Sequence, residues 1–394
     1  MKKRILYVGV ILDDKWSGGE PIVAKNLISY LKQNYEVFTS YYKPHSFLEK
    51  KTIPLMRQYG YTDDTNKKAV KFYIDEIQRV NPDIIVSQYD VDTSIIEASK
   101  LNDKKIISYI HIWWPICPKI TLLKSDNTIC DSYIGNDCYS CILNQSKGKS
   151  RYFLRIMASE KIIKQKMNKR IEKLNYDNVY IVVLNNGMKE YFNKYIKNEN
   201  IFVINNGINL DEFVYFDSNR EKIISYLGGQ NEVKGYKTFL EIARILHDKI
   251  PEVKIYAAGD YSKGLIDNYP YINFLGTIDR TSVVKLLNKS RCTIFPSMWR
   301  EPAGLVVLES IACGTPVVGS GIENLQYSFK NGEDIFIVDR NDISNFVSKI
   351  EVLLNDDALF KTISKNGRRK VEMFADQKKT YKDFESLIEK ILES

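Results

Sequence analysis

Histidine is scarce in this chain, with three in 394 residues, and long apolar runs are absent. The longest apolar stretch, residues 5–12, has eight members. A membrane helix needs roughly 20, and a signal peptide needs a longer apolar region with a cleavage site behind it. The stretch therefore reads as an opening β-strand after a basic start, and the chain is expected in the cytoplasm. No G-x-G-x-x-G follows that strand and no Walker sequence occurs, which argues against a dehydrogenase or a P-loop NTPase. Helix-turn-helix, zinc-finger and RNA-recognition signatures are also missing, so nucleic acid is not an expected partner.

What is present is an ordinary globular composition, 44% hydrophobic and 27% charged, with enough chain for two domains that each bury a core. Short β-branched runs alternate with helical patterns. In the first half strands are predicted at 4–10, 36–40, 83–87, 105–110, 179–184 and 201–204, with helices at 20–31, 66–80, 93–100, about 151–174, and 187–196. In the second half strands are predicted at 222–227, 254–258, 272–275, 292–295, 316–318 and 335–338. Helices are predicted at 236–247, 280–287, 304–312, 343–354, 358–374 and 377–392. The strands are continuous apolar runs, as in parallel strands buried on both faces. The fold expected is α/β, two Rossmann-like doubly wound domains facing a central cleft. Their boundaries are predicted at 1–204 for the first domain, 205–221 for a polar linker, and 222–374 for the second. A C-terminal helix, 375–394, is expected to cross back to the first domain. Ligands of such folds sit beyond the carboxyl ends of the strands, so the loops after the strands are where chemistry is sought.

The most informative loop runs Phe295-Pro-Ser-Met-Trp-Arg-Glu301-Pro-Ala-Gly-Leu-Val-Val-Leu-Glu309 and continues to Ala312-Cys-Gly-Thr-Pro-Val-Val318. A strand ends, a loop holds Glu301, and Gly304 opens a helix bearing Glu309. Free amides at a helix start favour an anion such as phosphate. Glu309 is then placed to accept hydrogen bonds from a ribose diol, and Glu301 from sugar hydroxyls. On spacing alone, a helix-start charge and a solvated face explain the two glutamates equally well.

These residues resemble the signature of the family-four retaining glycosyltransferases of GT-B fold, E-P-x-G-L-x-x-x-E followed by A-x-G-T-P-V-V. The resemblance implies that Glu301 contacts the donor sugar, Glu309 the nucleotide ribose, and the backbone at Ala303, Gly304 and Leu305 the diphosphate. It extends to Gly228-Gly229-Gln230-Asn-Glu-Val-Lys234-Gly235, which is similar to the family's G-R-x-x-x-x-K-G phosphate loop. Lys234 is the cation of that loop. Arginine is missing from it, since Gly229 and Gln230 stand there, and Arg300 is a candidate substitute. Gly18 and Gly19 resemble the family's N-terminal glycine loop, and Asn206-Gly-Ile-Asn209 its N-G-V-D at the domain junction. His111, after the strand 105–110, sits where the family has a histidine on the donor sugar. Gly321-Ile-Glu323 and Asn331-Gly332 are weaker matches to two further loops. The catalytic set implied is Glu301, His111 and Lys234.

Asp90-Val-Asp92 reads as D-x-D, but its place before a helix makes Asp92 a helix N-cap and not a metal ligand. No catalytic metal is expected, because helix amides and Lys234 suffice to neutralise a diphosphate. A structural zinc is expected elsewhere. Cys117, Cys130, Cys138 and Cys141 follow the spacing C-x12-C-x7-C-x2-C, whose last knuckle suits tetrahedral zinc, with disulfides and unpaired thiols as the alternatives.

The formal net charge of +8 is concentrated between 147 and 173, where ten Lys/Arg meet only Glu160 and Glu172. Such a stretch is either the solvated face of a domain helix or a surface for anionic lipid headgroups. The resulting expectation is a retaining glycosyltransferase that takes a nucleotide-sugar donor. Its acceptor would be a lipid-linked or cell-surface glycan precursor, and its place the inner face of the membrane as a peripheral protein. A GT-B transferase on a soluble acceptor, a nucleotide-sugar epimerase, and a non-catalytic sugar-nucleotide binder are the alternatives.

Overall fold

The computed structural model describes residues 2–9, 19–42, 65–88, 93–131, 136–146, 158–216 and 220–394, together with positions 148, 151, 152 and 155. The chain divides into two compact units. One contains Met1–Asn205 with Tyr381–Ser394, and the other Asn206–Thr380.

In the first unit, β1 (Arg4–Val8), β2 (Glu36–Ser40), β3 (Ile84–Ser87), β4 (Ile106–Tyr109), β5 (Val179–Val183) and β6 (Ile201–Val203) form one sheet in the order β2-β1-β3-β4-β5-β6. Every pairing in it is parallel, with Ile5 opposite Ile84 and Ile107 opposite Tyr180. β3 and β4 are buried along their whole length, which is why they read as unbroken apolar runs. Among the described residues the helices of this unit are α1 (Gly19–Leu31), α2 (Lys67–Val80), α3 (Ser94–Leu101), α4 (Cys138–Gln145), α5 (Glu160–Leu174) and α6 (Asn186–Asn193).

The second unit repeats the plan with β7 (Ile223–Leu227), β8 (Lys254–Ala258), β9 (Ile272–Gly276), β10 (Cys292–Phe295), β11 (Val317–Ser320) and β12 (Phe336–Val338). Their order is β12-β11-β10-β7-β8-β9. The strand order therefore reverses between β7 and β10, the switch point at which an open parallel sheet parts its loops and leaves a crevice. The helices are α7 (Tyr236–Lys249), α8 (Lys263–Asn268), α9 (Arg280–Lys289), α10 (Leu305–Ala312), α11 (Glu323–Ser328), α12 (Ile343–Asn355), α13 (Asp357–Phe374) and α14 (Gln377–Glu393). α7 turns Phe239, Ile242, Ala243 and Leu246 into the core against Phe346 and Ile350 of α12.

α14 starts within the second unit and ends within the first. Tyr381, Phe384, Ile388 and Ile391 are buried at helical spacing. Phe384 lies 5.3 Å from the Tyr109 ring, and Glu385 accepts the hydroxyl of Tyr30 at 2.8 Å.

Three local expectations change. The helix expected over about 151–174 is interrupted: residues 151, 152 and 155 are helical, 158 and 159 are not, and α5 begins at Glu160, where Ser159 accepts the amide of Ile162 at 3.3 Å. α4 forms within the cysteine segment, where no helix is predicted. Thr93, not Asp92, holds the N-cap position of α3, while 90–92 lie outside the described residues. Among the described residues, no helix is long and apolar enough to cross a membrane.

Candidate functional site

The loops that leave the switch point of the second sheet are tied together by backbone. Gly235 precedes α7 with φ of +75°, and a Cβ there would fall 1.8 Å from the carbonyl oxygen of Pro296. Only glycine permits that approach. The Met298 amide donates to the Val233 carbonyl at 2.9 Å, and the Tyr226 hydroxyl donates to the carbonyls of Gly229 and Lys234 at 3.3 and 3.2 Å. The loop after β7 is thus seated on the loop after β10.

This seating brings Lys234 and Glu301 together. Lys234 Nζ is 2.5 Å from Glu301 Oε2, and the indole N–H of Trp299 donates to the same oxygen at 2.7 Å. The ammonium also stands 5.4 Å from the Trp299 ring centroid. Glu301 is 7% exposed, and a carboxylate so buried needs its charge matched and its lone pairs satisfied. Trp299 does part of that work and was not singled out in the sequence.

Glu309 lies further along, on α10. Gly304 caps this helix with φ of +60° and has no side chain to offer its amides. The first intrahelical bonds run from Val307 and Leu308 to the Gly304 carbonyl, so the amides before them sit at the helix mouth without an intrahelical acceptor. Arg280, the first residue of α9, reaches Glu309 Oε1 with one guanidinium nitrogen at 3.2 Å and Glu212 Oε2 with Nε at 2.7 Å. Burial pushes the Glu309 carboxyl up to about 7, against the pull of Arg280 and with some repulsion from Glu212. Arg280 too was missed in the sequence. Its signal was a cation at a helix start, where the dipole disfavours one.

The remaining predicted residues are distributed as follows. Gln230 accepts the amide of Ser262 on its side-chain oxygen at 2.8 Å and ties the loop after β7 to the segment after β8. Gly229 has φ of +59° in that loop. Arg300 is buried. Asn209 accepts the Asp211 amide on its side chain and the amides of Glu212 and Phe213 on its carbonyl, so it starts the turn that carries Glu212. His111 belongs to the first unit, just beyond β4. It is buried with its ring 4.2 Å from Tyr109, and burial lowers it to about 3, so it is neutral at neutral pH. Gly19 is the first residue of α1, and Gly18 lies outside the described residues.

The zinc expectation is not supported. Cys117, Cys130, Cys138 and Cys141 all line one pocket of about 260 Å³. None of the four is in a disulfide, and among the described residues no three His, Cys, Asp or Glu side chains converge to hold a metal. The segment has apolar anchors of its own: Trp113, Trp114, Ile116, Leu122, Leu123 and Ile142 are buried in and beside it. Polar ties complete the anchoring. Glu160 accepts the first two amides of α4 at 3.0 and 3.1 Å, and the Arg170 guanidinium donates to the Trp114 carbonyl at 2.7 Å. Arg170 is buried and Lys173 is paired with Glu97 at 3.1 Å, so neither belongs to the exposed basic face that the charge run suggested.

Against known proteins, residues 208–370 match the model of glycosyl transferases group 1. The chain is 29% identical over 205 residues to the capsular polysaccharide biosynthesis glycosyltransferase CapM of Staphylococcus aureus, covering 47% of this chain and 53% of that protein. It is 27% identical over 217 residues to the UDP-Gal:alpha-D-GlcNAc-diphosphoundecaprenol alpha-1,3-galactosyltransferase of Escherichia coli, covering 48% and 55%. The chain thus spans about half the length of these curated relatives. Sucrose-phosphate synthase of Thermosynechococcus elongatus superposes with a TM-score of 0.70 over 99% of both chains at 17% identity, a likeness of fold. The chain thus shares the two-domain α/β architecture of the GT-B fold along its length, and its second unit is similar to the group 1 glycosyl transferases.

Proposed function

We propose that the protein is a retaining glycosyltransferase that moves a sugar from a nucleoside-diphosphate donor to an acceptor hydroxyl. The observation that carries this reading is the Lys234–Glu301 pair, 2.5 Å apart where the strand order of the second sheet reverses. A cation for phosphate and a carboxylate for sugar hydroxyls are the two groups a sugar diphosphate asks for. In this reading the diphosphate lies on the helix mouth at Ala303, Gly304 and Leu305 with Lys234 beside it. Glu309 accepts from the ribose diol, Glu301 from the sugar, and neutral His111 exchanges hydrogen bonds with sugar hydroxyls. Arg300, buried in the same loop, is assigned to the diphosphate in place of the arginine missing from the loop after β7.

The acceptor oxygen bonds to the anomeric carbon on the face from which the diphosphate leaves. The acceptor proton passes to a phosphate oxygen of the leaving group, so the products are a glycoside of unchanged anomeric configuration and a nucleoside diphosphate. Stabilising the departing diphosphate is the main catalytic contribution asked of the protein, and Lys234 with the helix amides supplies it without a metal. The acceptor class proposed is a lipid-linked glycan precursor, supported by the printed activity of the Escherichia coli relative, whose acceptor is a diphosphoundecaprenol-linked sugar. Peripheral attachment to the cytoplasmic membrane face, through the exposed lysines of α5 such as Lys161 and Lys169, fits that acceptor.

A thermal-shift screen of nucleotide sugars, followed by turnover with lipid-diphosphate-linked sugars and proton NMR of the product, tests the reading. Stabilisation by one donor and a product of retained configuration are expected. An inverted product removes the retaining assignment, and no turnover with any lipid-linked acceptor removes the acceptor class. Sedimentation with anionic and neutral vesicles tests the membrane contact, which equal non-binding to both would dismiss.

A further inference from the structure

Arg280 is mounted as if its orientation mattered. Asp279 already caps α9 by accepting the Ser282 amide at 2.7 Å, so the helix start does not need the guanidinium, and its dipole opposes it. The guanidinium instead spans two carboxylates, Glu212 through Nε at 2.7 Å and Glu309 through a terminal nitrogen at 3.2 Å. Its plane is backed by the Phe213 ring, 4.6 Å away. That backing is itself fixed. Phe213 is fully buried, its amide donates to Asn209, and its carbonyl accepts from Arg368 of α13 at 2.7 Å. Arg368 also donates to the Ala312 carbonyl at the end of α10, so α10, the 209–213 turn and α13 are joined around the pair.

We propose that Arg280 is a positioning residue for the donor's ribose, clamping Glu309 through one carboxylate oxygen so that the other is presented to the diol. The proposal rests on the reading above, in which Glu309 faces the ribose. Chemistry favours this division of labour. A carboxylate held at one oxygen by a guanidinium keeps lone pairs on the second, and the clamp removes the rotamer freedom that binding would otherwise have to freeze. Glu212 keeps the guanidinium from swinging fully onto Glu309, since it takes the shorter bond. Arg280 itself touches no ligand in this arrangement. Its influence should therefore be felt only by nucleotides that carry the hydroxyls Glu309 binds.

Calorimetric titration of UDP and of 2′,3′-dideoxy-UDP into the wild-type protein, Arg280→Met, Arg280→Lys and Glu212→Gln provides the test. UDP is expected to bind Arg280→Met on the order of 10- to 100-fold more weakly than wild type, the range for a lost hydrogen bond to a charged group. Dideoxy-UDP should already bind the wild type weakly, with less than about a twofold further change in Arg280→Met. Arg280→Lys should recover part of the UDP affinity, and Glu212→Gln should fall between wild type and Arg280→Met. Equal losses for the two nucleotides, or unchanged UDP affinity in Arg280→Met and Glu212→Gln alike, would overturn the proposal. Where the wild type binds ADP, CDP or GDP and not UDP, that nucleotide and its dideoxy form take the place of UDP; if it binds none of them, the donor reading fails first and this inference falls with it.

Discussion

Glu301 and Glu309 share one segment of chain, and each faces a cation, but the two pairs differ in kind. Glu301 receives Lys234 and the Trp299 indole on one oxygen, at 2.5 and 2.7 Å. Glu309 shares Arg280 with a second carboxylate, Glu212, and takes the longer of the two bonds. The first carboxylate is charge-matched within its own pair of loops. The second is left under-compensated, and burial pushes it up to about 7. In the proposed reading a donor would meet Glu301 at the oxygen that Lys234 and Trp299 leave open, and Glu309 at a carboxyl whose charge is only partly matched.

The largest expected effect breaks the first pair. Glu301→Gln or Lys234→Met should lower turnover by a factor on the order of 10²–10³ while circular dichroism stays that of the wild type. Because the two side chains touch, the double variant should lose much less than the sum of the single losses, and a steady-state double-mutant cycle measures that shortfall. Full additivity would mean that the pair does not act as a unit. Trp299→Phe keeps the ring but deletes the N–H on Glu301, and roughly a tenfold drop in kcat/KM is expected.

The second pair is exposed by pH. Glu309 holds its proton to about 7 in the folded protein, against an ordinary value of 4.5, so the folded state binds more protons between these values. Its contribution to stability is therefore fully present below about 4.5 and is lost as pH rises through 7, up to about 3 kcal/mol. Urea unfolding of wild type and Glu309→Gln across pH 5–8 should show the wild type losing stability relative to the variant. Donor affinity should move the other way, strengthening as Glu309 ionises. A parallel pH course in the two proteins would remove the contrast between the pairs.

Most of the architecture was legible because parallel strands buried on both faces leave unbroken apolar runs, as in β3, β4 and β10. Lys234 and Glu301 were named from the resemblance, and both fall in loops that follow strands, β7 and β10, but that the two side chains pair was not legible. Trp299 and Arg280 were not, since one reads as a core aromatic and the other lies in a helix start far along the chain from Glu309. The cysteine segment misled because spacing suggested a metal where the fold supplies buried tryptophans, a helix cap from Glu160 and a buried guanidinium from Arg170. For the same reason the basic run overstated the exposed charge: spacing along the chain does not tell which lysine or arginine turns inward.

The direct measurement is release of nucleoside diphosphate from a panel of nucleotide sugars by the wild-type protein and by Lys234→Met, with a lipid-diphosphate-linked acceptor present. The account predicts release from at least one donor by the wild type and a rate lower by a factor on the order of 10²–10³ in the variant. No release from any donor, or equal rates in the two proteins, would contradict it.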